Sequence, residues 1–141
     1  MIRLLLADDH KMVRDALAYL LRSRHDMEIV ALASDGQQAV DLACLQCPDV
    51  GIIDVSMPGM DGIEATRRIL AQCADTRVVM LSMYDTPDYV RRALEAGALG
   101  YVLKDSAASE LVAAVRAVYD RTYFFSEKLG ELAKRWVPPA Q

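Results

Sequence analysis

Five short apolar segments, each followed by a helical pattern, constrain the fold of this chain more than any other feature. Strands that alternate with helices form a parallel sheet with helices on both faces. The first, third and fourth segments are almost wholly apolar, as expected for strands that are buried on both faces. The sequence therefore predicts an α/β domain with a doubly wound, parallel, five-stranded sheet. The segments are 2–7, 27–33, 50–53, 78–81 and 99–103.

Polar side chains follow four of these segments directly. Asp8 and Asp9 come after the first segment, Asp54 after the third, Ser82 after the fourth and Lys104 after the fifth. Because the carboxyl ends of parallel strands lie at one edge of the sheet, we expect these groups to converge there. Three carboxylates and one ammonium would form an acidic cleft that suits a hard divalent cation and, through it, a phosphoryl group.

Residues typical of helix starts mark four of the helices. An acid followed three residues later by Gln or Glu is a capping-box pattern, and it occurs twice. Thr before Pro and a lone Ser mark two further starts. The first helix is predicted from about residue 11 to residue 24. The predicted capping residues are Asp35, Asp61, Thr86 and Ser106.

The pattern changes after Tyr119. A polar break precedes the apolar run 123–125, and apolar residues then recur at helical spacing in a short helix predicted over 126–136. The two prolines 138–139 end that helix and indicate a linker. The sequence thus predicts a domain at 1–120 and a C-terminal helix with a linker at 121–141.

Composition limits the partners of the chain. Its 141 residues suit one domain, and a net charge of −4 argues against a nucleic-acid surface in this segment. It contains neither a long apolar run nor a signal-peptide pattern, so we expect a cytoplasmic protein without a membrane span. Cys44 and Cys47 lie at the end of a helical pattern, where the helix dipole disfavours thiolate. Packed or idle thiols are therefore expected there rather than a redox or zinc site.

The acids and the lysine each have an ordinary interpretation beside the functional one. Asp54 is either a loop acid bonded to nearby amides or a nucleophile and metal ligand. Asp8 and Asp9 either cap a helix or share a cation; with Mg²⁺, Asp9 and Asp54 would bind directly and Asp8 through water. Lys104 either extends to solvent or serves as counter-ion and phosphate clamp.

Ser82 and Tyr101 also have two interpretations. Ser82 either caps a turn or bonds a phosphoryl oxygen on Asp54. Tyr101 either packs in the sheet or moves between outward and inward rotamers. Each signal alone is weak, but together they indicate a site that accepts a phosphoryl group.

Four motifs lie at these strand ends: Ala7-Asp8-Asp9-His10, the segment 54–62, the segment 81–84 and the segment 97–104. Together they give the chain a resemblance to the receiver domain of bacterial two-component response regulators, NarL/FixJ subgroup. The resemblance covers about residues 1–120 and implies a CheY-like (βα)5 fold with strand order 2-1-3-4-5.

The resemblance implies that Asp54 accepts a phosphoryl group from the phosphohistidine of a sensor histidine kinase. Mg²⁺ would be held by the three acids and the backbone carbonyl of Ser56. Lys104 would bind the phosphate, Ser82 and Tyr101 would act as the switch, and Ser56 with Tyr84 would tune hydrolysis. Such a domain catalyses only its own phosphorylation and dephosphorylation. The resemblance further implies that the surface formed by the fourth helix, the fifth strand and the fifth helix changes on phosphorylation and supports a homodimer.

Two departures from the family pattern stand out. Asp105 follows Lys104, where many receivers have a proline after a cis bond, so the geometry of that peptide is open. Residues 121–141 are too short for the LuxR-type helix-turn-helix that usually follows in this subgroup. The sequence favours a transcriptional regulator that lacks its DNA-binding domain here over a stand-alone receiver.

Two other classes have the same strand-end chemistry or architecture. A haloacid-dehalogenase-type phosphatase needs a second Asp two residues after its nucleophile, where this chain has Ser56. A nucleotide-binding domain needs a Gly-rich turn after the first strand, where this chain has Asp8 and Asp9. Both classes are therefore less favoured than the receiver.

Overall fold

A computed structural model describes residues 1–130, in which strands and helices alternate along the chain. The strands are β1 (Ile2–Ala7), β2 (Met27–Ala33), β3 (Val50–Asp54), β4 (Arg77–Ser82), β5 (Gly100–Leu103) and β6 (Phe124–Phe125). The helices are α1 (Lys11–Arg22), α2 (Gly36–Gln46), α3 (Gly62–Gln72), α4 (Pro87–Glu95) and α5 (Ala107–Tyr119). No helix within 1–130 is long and apolar enough to cross a bilayer.

All strands are parallel and lie in the order β2-β1-β3-β4-β5-β6. The predicted order of the first five is confirmed. The sixth strand was not predicted, because a two-residue strand carries too little alternation to be recognised. Residues 127–130 form a 3-10 turn, and the rest of the predicted helix 126–136 lies outside the described residues.

Side chains of each strand alternate between two apolar layers. Leu4 and Leu6 pack with α1 and α5 on one face, whereas Leu5 and Ala7 pack with α2, α3 and α4 on the other. This alternation follows from the two-residue repeat of a strand. Since helices cover both faces, β1, β3 and β4 need apolar residues throughout, as their sequences have.

The predicted caps divide into two groups. The carboxylates of Asp35 and Asp61 accept hydrogen bonds of 2.8 Å from the amides three residues later, which confirms both. Within the described residues, Thr86 and Ser106 occupy cap positions without a capping side-chain hydrogen bond. Ser106 also ends a 3-10 turn at Lys104–Ser106 and turns its hydroxyl toward Asp105, so it stands at the predicted start of α5, but its side chain does not cap that helix.

Candidate functional site

The three acids and the lysine meet at the carboxyl edge of the sheet. Lys104 Nζ lies 2.7 Å from Asp54 Oδ2 and 3.1 Å from Asp8 Oδ2. Oxygen atoms of Asp8, Asp9 and Asp54, with a ring nitrogen of His10, all lie within 4.8 Å of one another. The predicted convergence of these groups is therefore present, although they are up to 96 positions apart in sequence (Asp8 to Lys104).

Asp54 is buried at the end of β3, and both its carboxylate oxygens have partners. The amide of Ser56 donates to Oδ1 at 3.1 Å, and Lys104 donates to Oδ2. Burial raises the pKa of Asp54; Lys104 opposes this effect and the charge of Asp8 adds to it. The fold thus fixes the orientation of this carboxylate and makes its negative charge costly.

Lys104 is largely buried, and Asp54 is its main partner. Burial acts to lower the pKa of this ammonium, but the hydrogen bond and charge of Asp54, with the nearby carboxylate of Asp8, outweigh that effect and raise the pKa. The interpretation of Lys104 as a counter-ion to Asp54 therefore agrees with the contacts, and a lysine extended into solvent does not.

Asp8 meets the physical requirements of a cation ligand. It is fully buried, and Oδ1 accepts a hydrogen bond of 2.9 Å from the amide of His10. Within residues 1–130, Oδ2 accepts no well-aligned hydrogen bond, although the Lys104 ammonium lies at ion-pair distance. A buried carboxylate oxygen with unused acceptor capacity, beside two more carboxylates, fits a hard cation such as Mg²⁺.

His10 belongs to this cluster and was missed as a site residue. Its Nδ1 lies 3.2 Å from Asp9 Oδ1, 3.4 Å from Asp8 Oδ1 and 3.5 Å from Lys104 Nζ. The imidazole is mostly exposed, so it lies over the acids at the solvent side. Its position directly after Asp8 and Asp9 was the signal that the sequence offered.

Ser82, Tyr84 and Tyr101 form a second set of contacts beside the acids. The buried Ser82 hydroxyl accepts a hydrogen bond of 2.9 Å from the amide of Tyr84, so it caps a turn. The Tyr101 hydroxyl donates to the carbonyl of Tyr84 at 2.7 Å, and its ring is fully buried. Tyr84 also places its hydroxyl 3.5 Å from Ser56 Oγ. Tyr84, itself a predicted tuning residue, therefore joins the predicted switch residues to the other tuning residue, Ser56.

The loop after β3 is held by a close backbone approach. A Cβ on Gly62 would lie 1.9 Å from the carbonyl oxygen of Asp54, so only glycine fits at this position. The Gly62 amide donates to the carbonyl of Val55 at 2.8 Å. The start of α3 is thereby packed directly against the backbone that carries Asp54.

Two other predictions concern groups near or outside this edge. No peptide bond in the described part of the chain is cis, so Lys104 and Asp105 are joined by a trans bond. The three cysteines are free; Cys44 and Cys47 are exposed, and Cys73 is partly buried. Burial, with the neighbouring Cys47 and Cys44, raises the pKa of the Cys73 thiol.

Comparison with known proteins identifies the family. Residues 4–116 match the response regulator receiver domain. This chain belongs to that family. Receivers of this family are signalling domains, and an acidic pocket that uses Mg²⁺ is general among them.

The relatives of this receiver are regulators of the LuxR family. It is 47% identical over 117 residues to the transcriptional regulatory protein LiaR of Bacillus subtilis, covering 83% of this chain and 56% of LiaR. A LuxR-family response regulator from Aurantimonas superimposes with a TM-score of 0.90 at 33% identity, covering 96% of both chains. The receiver domain of NarL from Mycobacterium tuberculosis gives 0.81 at 35% identity, covering 84% of this chain and 96% of that one. The chain thus spans little more than half the length of LiaR.

Proposed function

We propose that Asp54 accepts a phosphoryl group from the phosphohistidine of a sensor histidine kinase. The observation that carries this proposal is the geometry of its carboxylate. One oxygen is fixed by an amide and the other by Lys104, beside the oxygen-rich cluster of Asp8 and Asp9. Phosphoryl transfer depends mainly on such positioning and on charge stabilisation.

In the proposed reaction, a carboxylate oxygen of Asp54 forms a bond to phosphorus while the phosphorus–nitrogen bond of the donor breaks. Lys104 remains beside the transferred group and offsets its negative charge. Asp8, Asp9, Asp54 and the Ser56 carbonyl would hold Mg²⁺, which when bound supplies positive charge for the phosphoryl oxygens. Asp9 and Ser56 also line a cavity of about 450 Å³ with Arg92, which leaves space for a donor.

The proposed switch uses the contacts of Tyr84. A phosphoryl group on Asp54 would attract the Ser82 hydroxyl, which now accepts from the Tyr84 amide. Because Tyr101 donates to the Tyr84 carbonyl, movement of the loop that carries Tyr84 changes the hydrogen bond that holds the Tyr101 side chain inward. We expect the surface of α4, β5 and α5 to shift as a change of populations, and a homodimer to form through it.

The test is phosphorylation by acetyl phosphate with Mg²⁺, followed by intact-mass measurement. We expect one phosphoryl group on the wild-type chain, none on Asp54→Asn and one on the control Asp15→Asn, whose carboxylate is exposed and pairs with Lys11. Stoichiometric labelling of Asp54→Asn would defeat the assignment. Repeated turnover of phosphate esters would instead support the phosphatase, although a serine stands where that class needs an acid.

The output of this receiver is also a proposal. LiaR is described as a transcriptional regulatory protein, and the chain covers 56% of it. We propose that this receiver, in the cytoplasm, controls a LuxR-type DNA-binding domain in the whole protein; a stand-alone receiver is the alternative. The division at residue 120 stays a prediction. A test is whether phosphorylation changes the DNA affinity of a full-length regulator that carries this receiver.

A further inference from the structure

The segment after α5 is attached to the strand that carries the proposed switch. Arg121 takes a left-handed turn with φ 62°, and β6 then pairs in parallel with β5. The amide of Phe124 donates to the carbonyl of Leu99, and the amide of Ser126 to the carbonyl of Tyr101, both at 3.0 Å. This segment, Phe124–Leu129, lies beyond the residues 4–116 that match the family; we name it the β6 strap.

Ser126 anchors the β6 strap next to Lys104. Its buried hydroxyl accepts from the amide of Leu103 at 2.8 Å and donates to the carboxylate of Glu110 on α5. The other oxygen of Glu110 accepts from the amide of Glu127 at 3.0 Å. Since Leu103 immediately precedes Lys104, this anchor lies one residue from the lysine proposed to bind the phosphoryl group.

Lys128 extends the β6 strap to the phosphoacceptor edge. Its Nζ lies 2.7 Å from Asp105 Oδ2, and both side chains are largely exposed. Lys128 and its partner Asp105 also line a cavity of about 330 Å³, together with Asp85 and with Ser82 and Lys104, the two groups proposed to bind the phosphoryl group. Leu129 fixes the end of the strap, because it is buried in the same apolar layer as Tyr101.

We propose that Lys128 is a positioning residue that senses phosphorylation of Asp54 and tightens the β6 strap in response. This inference rests on the proposed function. Phosphorylation replaces a carboxylate of charge −1 by a group of charge near −2, so the attraction on a cation that lines this cavity increases. An exposed ion pair such as Lys128 with Asp105 contributes little, so the Lys128 ammonium can turn from Asp105 toward the phosphoryl group within the same cavity.

The experiment measures amide hydrogen exchange at Ser126 and Leu129 in the 141-residue chain, before and after acetyl phosphate with Mg²⁺. The mass of the same samples reports the phosphorylated fraction. We expect exchange at both amides to slow at least about threefold on phosphorylation, because a tighter strap opens less often. We expect Lys128→Gln to lose this change while it is still phosphorylated.

Glu127→Gln is the matched control, because Glu127 is an exposed neighbour whose backbone rather than side chain makes the contact with Glu110. The Glu127→Gln variant should show the same slowing of exchange on phosphorylation as the wild-type protein. Phosphorylated wild-type protein with unchanged exchange at Ser126 would overturn the inference and leave the proposed function intact. The same conclusion would follow if exchange in phosphorylated Lys128→Gln slowed as much as in the wild-type protein. Absence of any phosphorylation would overturn both.

Discussion

Replacing the proposed phosphoacceptor should stabilise the fold when no divalent cation is present. At an effective dielectric constant of about 20, the attraction between Lys104 and Asp54 at 2.7 Å is about 6 kcal/mol. Asp8 and Asp9 have oxygens within 4.8 Å of Asp54, and each repels it by at least about 3.5 kcal/mol. The two repulsions and the attraction are thus of similar size, and burial, the largest cost of this charge, makes it unfavourable overall.

Asp54→Asn removes this charge without leaving Lys104 alone, because Asp8 remains 3.1 Å away. We expect the free energy of unfolding to rise by about 2 kcal/mol, or roughly 6–8 °C in Tm. A group whose pKa is raised in the folded state destabilises that state above its ordinary pKa. The gain should therefore be present at neutral pH and vanish as the pH falls below the ordinary value of 3.8.

The assay is urea unfolding in EDTA at neutral pH, repeated with Mg²⁺. At one hundred times its Kd, the cation should raise the free energy of unfolding of the wild-type protein by about 2.7 kcal/mol. It should stabilise Asp54→Asn less, so the wild-type protein becomes the more stable of the two. Asp15→Asn, which alters an exposed ion pair, should show no comparable gain. If Asp54→Asn unfolds more easily than the wild-type protein in EDTA, the electrostatic reasoning is wrong.

Three further predictions concern residues around the site. Burial raises the pKa of Tyr101 to about 12, so roughly 2 kcal/mol of stability should be lost as the pH rises from 10 to 12. Tyr101→Phe should flatten this pH dependence of the free energy of unfolding in urea titrations, and an equal slope in the two proteins would contradict it. Ser126→Ala leaves the Leu103 amide without its partner, so it should lower the free energy of unfolding in urea by about 1–3 kcal/mol. The control Ser109→Ala, at an exposed serine, should lower it little, and equal losses in the two variants would refute the role of Ser126 as an anchor. Gly62→Ala places a Cβ 1.9 Å from a backbone oxygen, so it should lower the free energy of unfolding by at least about 3 kcal/mol and slow phosphorylation. Thermal unfolding should show a smaller loss for Gly51→Ala, whose Cβ would lie 3.5 Å from its nearest neighbour.

Much of the fold could be predicted because its signals are local. The apolar runs of β1, β3 and β4 and the acid caps at Asp35 and Asp61 act over a few residues, and both were recognised. Ser106 shows the limit of this reasoning. Its residue type suits a cap, but a 3-10 turn after β5 directs its hydroxyl to Asp105 instead.

The roles that sequence reasoning missed depend on distant partners. Ser126 bonds Leu103 and Glu110, which are 23 and 16 positions away, and Lys128 reaches Asp105 across 23 positions. Nothing in the sequence pattern of 123–129 indicates that the hydroxyl of Ser126 accepts a hydrogen bond from a buried strand amide. His10 was visible in its motif, but only its position over Asp8 and Asp9 shows that it belongs to the cluster.

The sequence by itself determined that acids, a hydroxyl and an ammonium follow parallel strands and so share one edge. It did so because the direction of the strands and the two-residue repeat of their side chains are set by the residues themselves. Only the tertiary structure decided that Lys104 lies closer to Asp54 than to Asp8, that Asp8 keeps an oxygen with spare acceptor capacity, and that the β6 strap lies beside the switch. These outcomes depend on burial and on distances between residues far apart in the chain, which strand pairing fixes and local patterns do not contain.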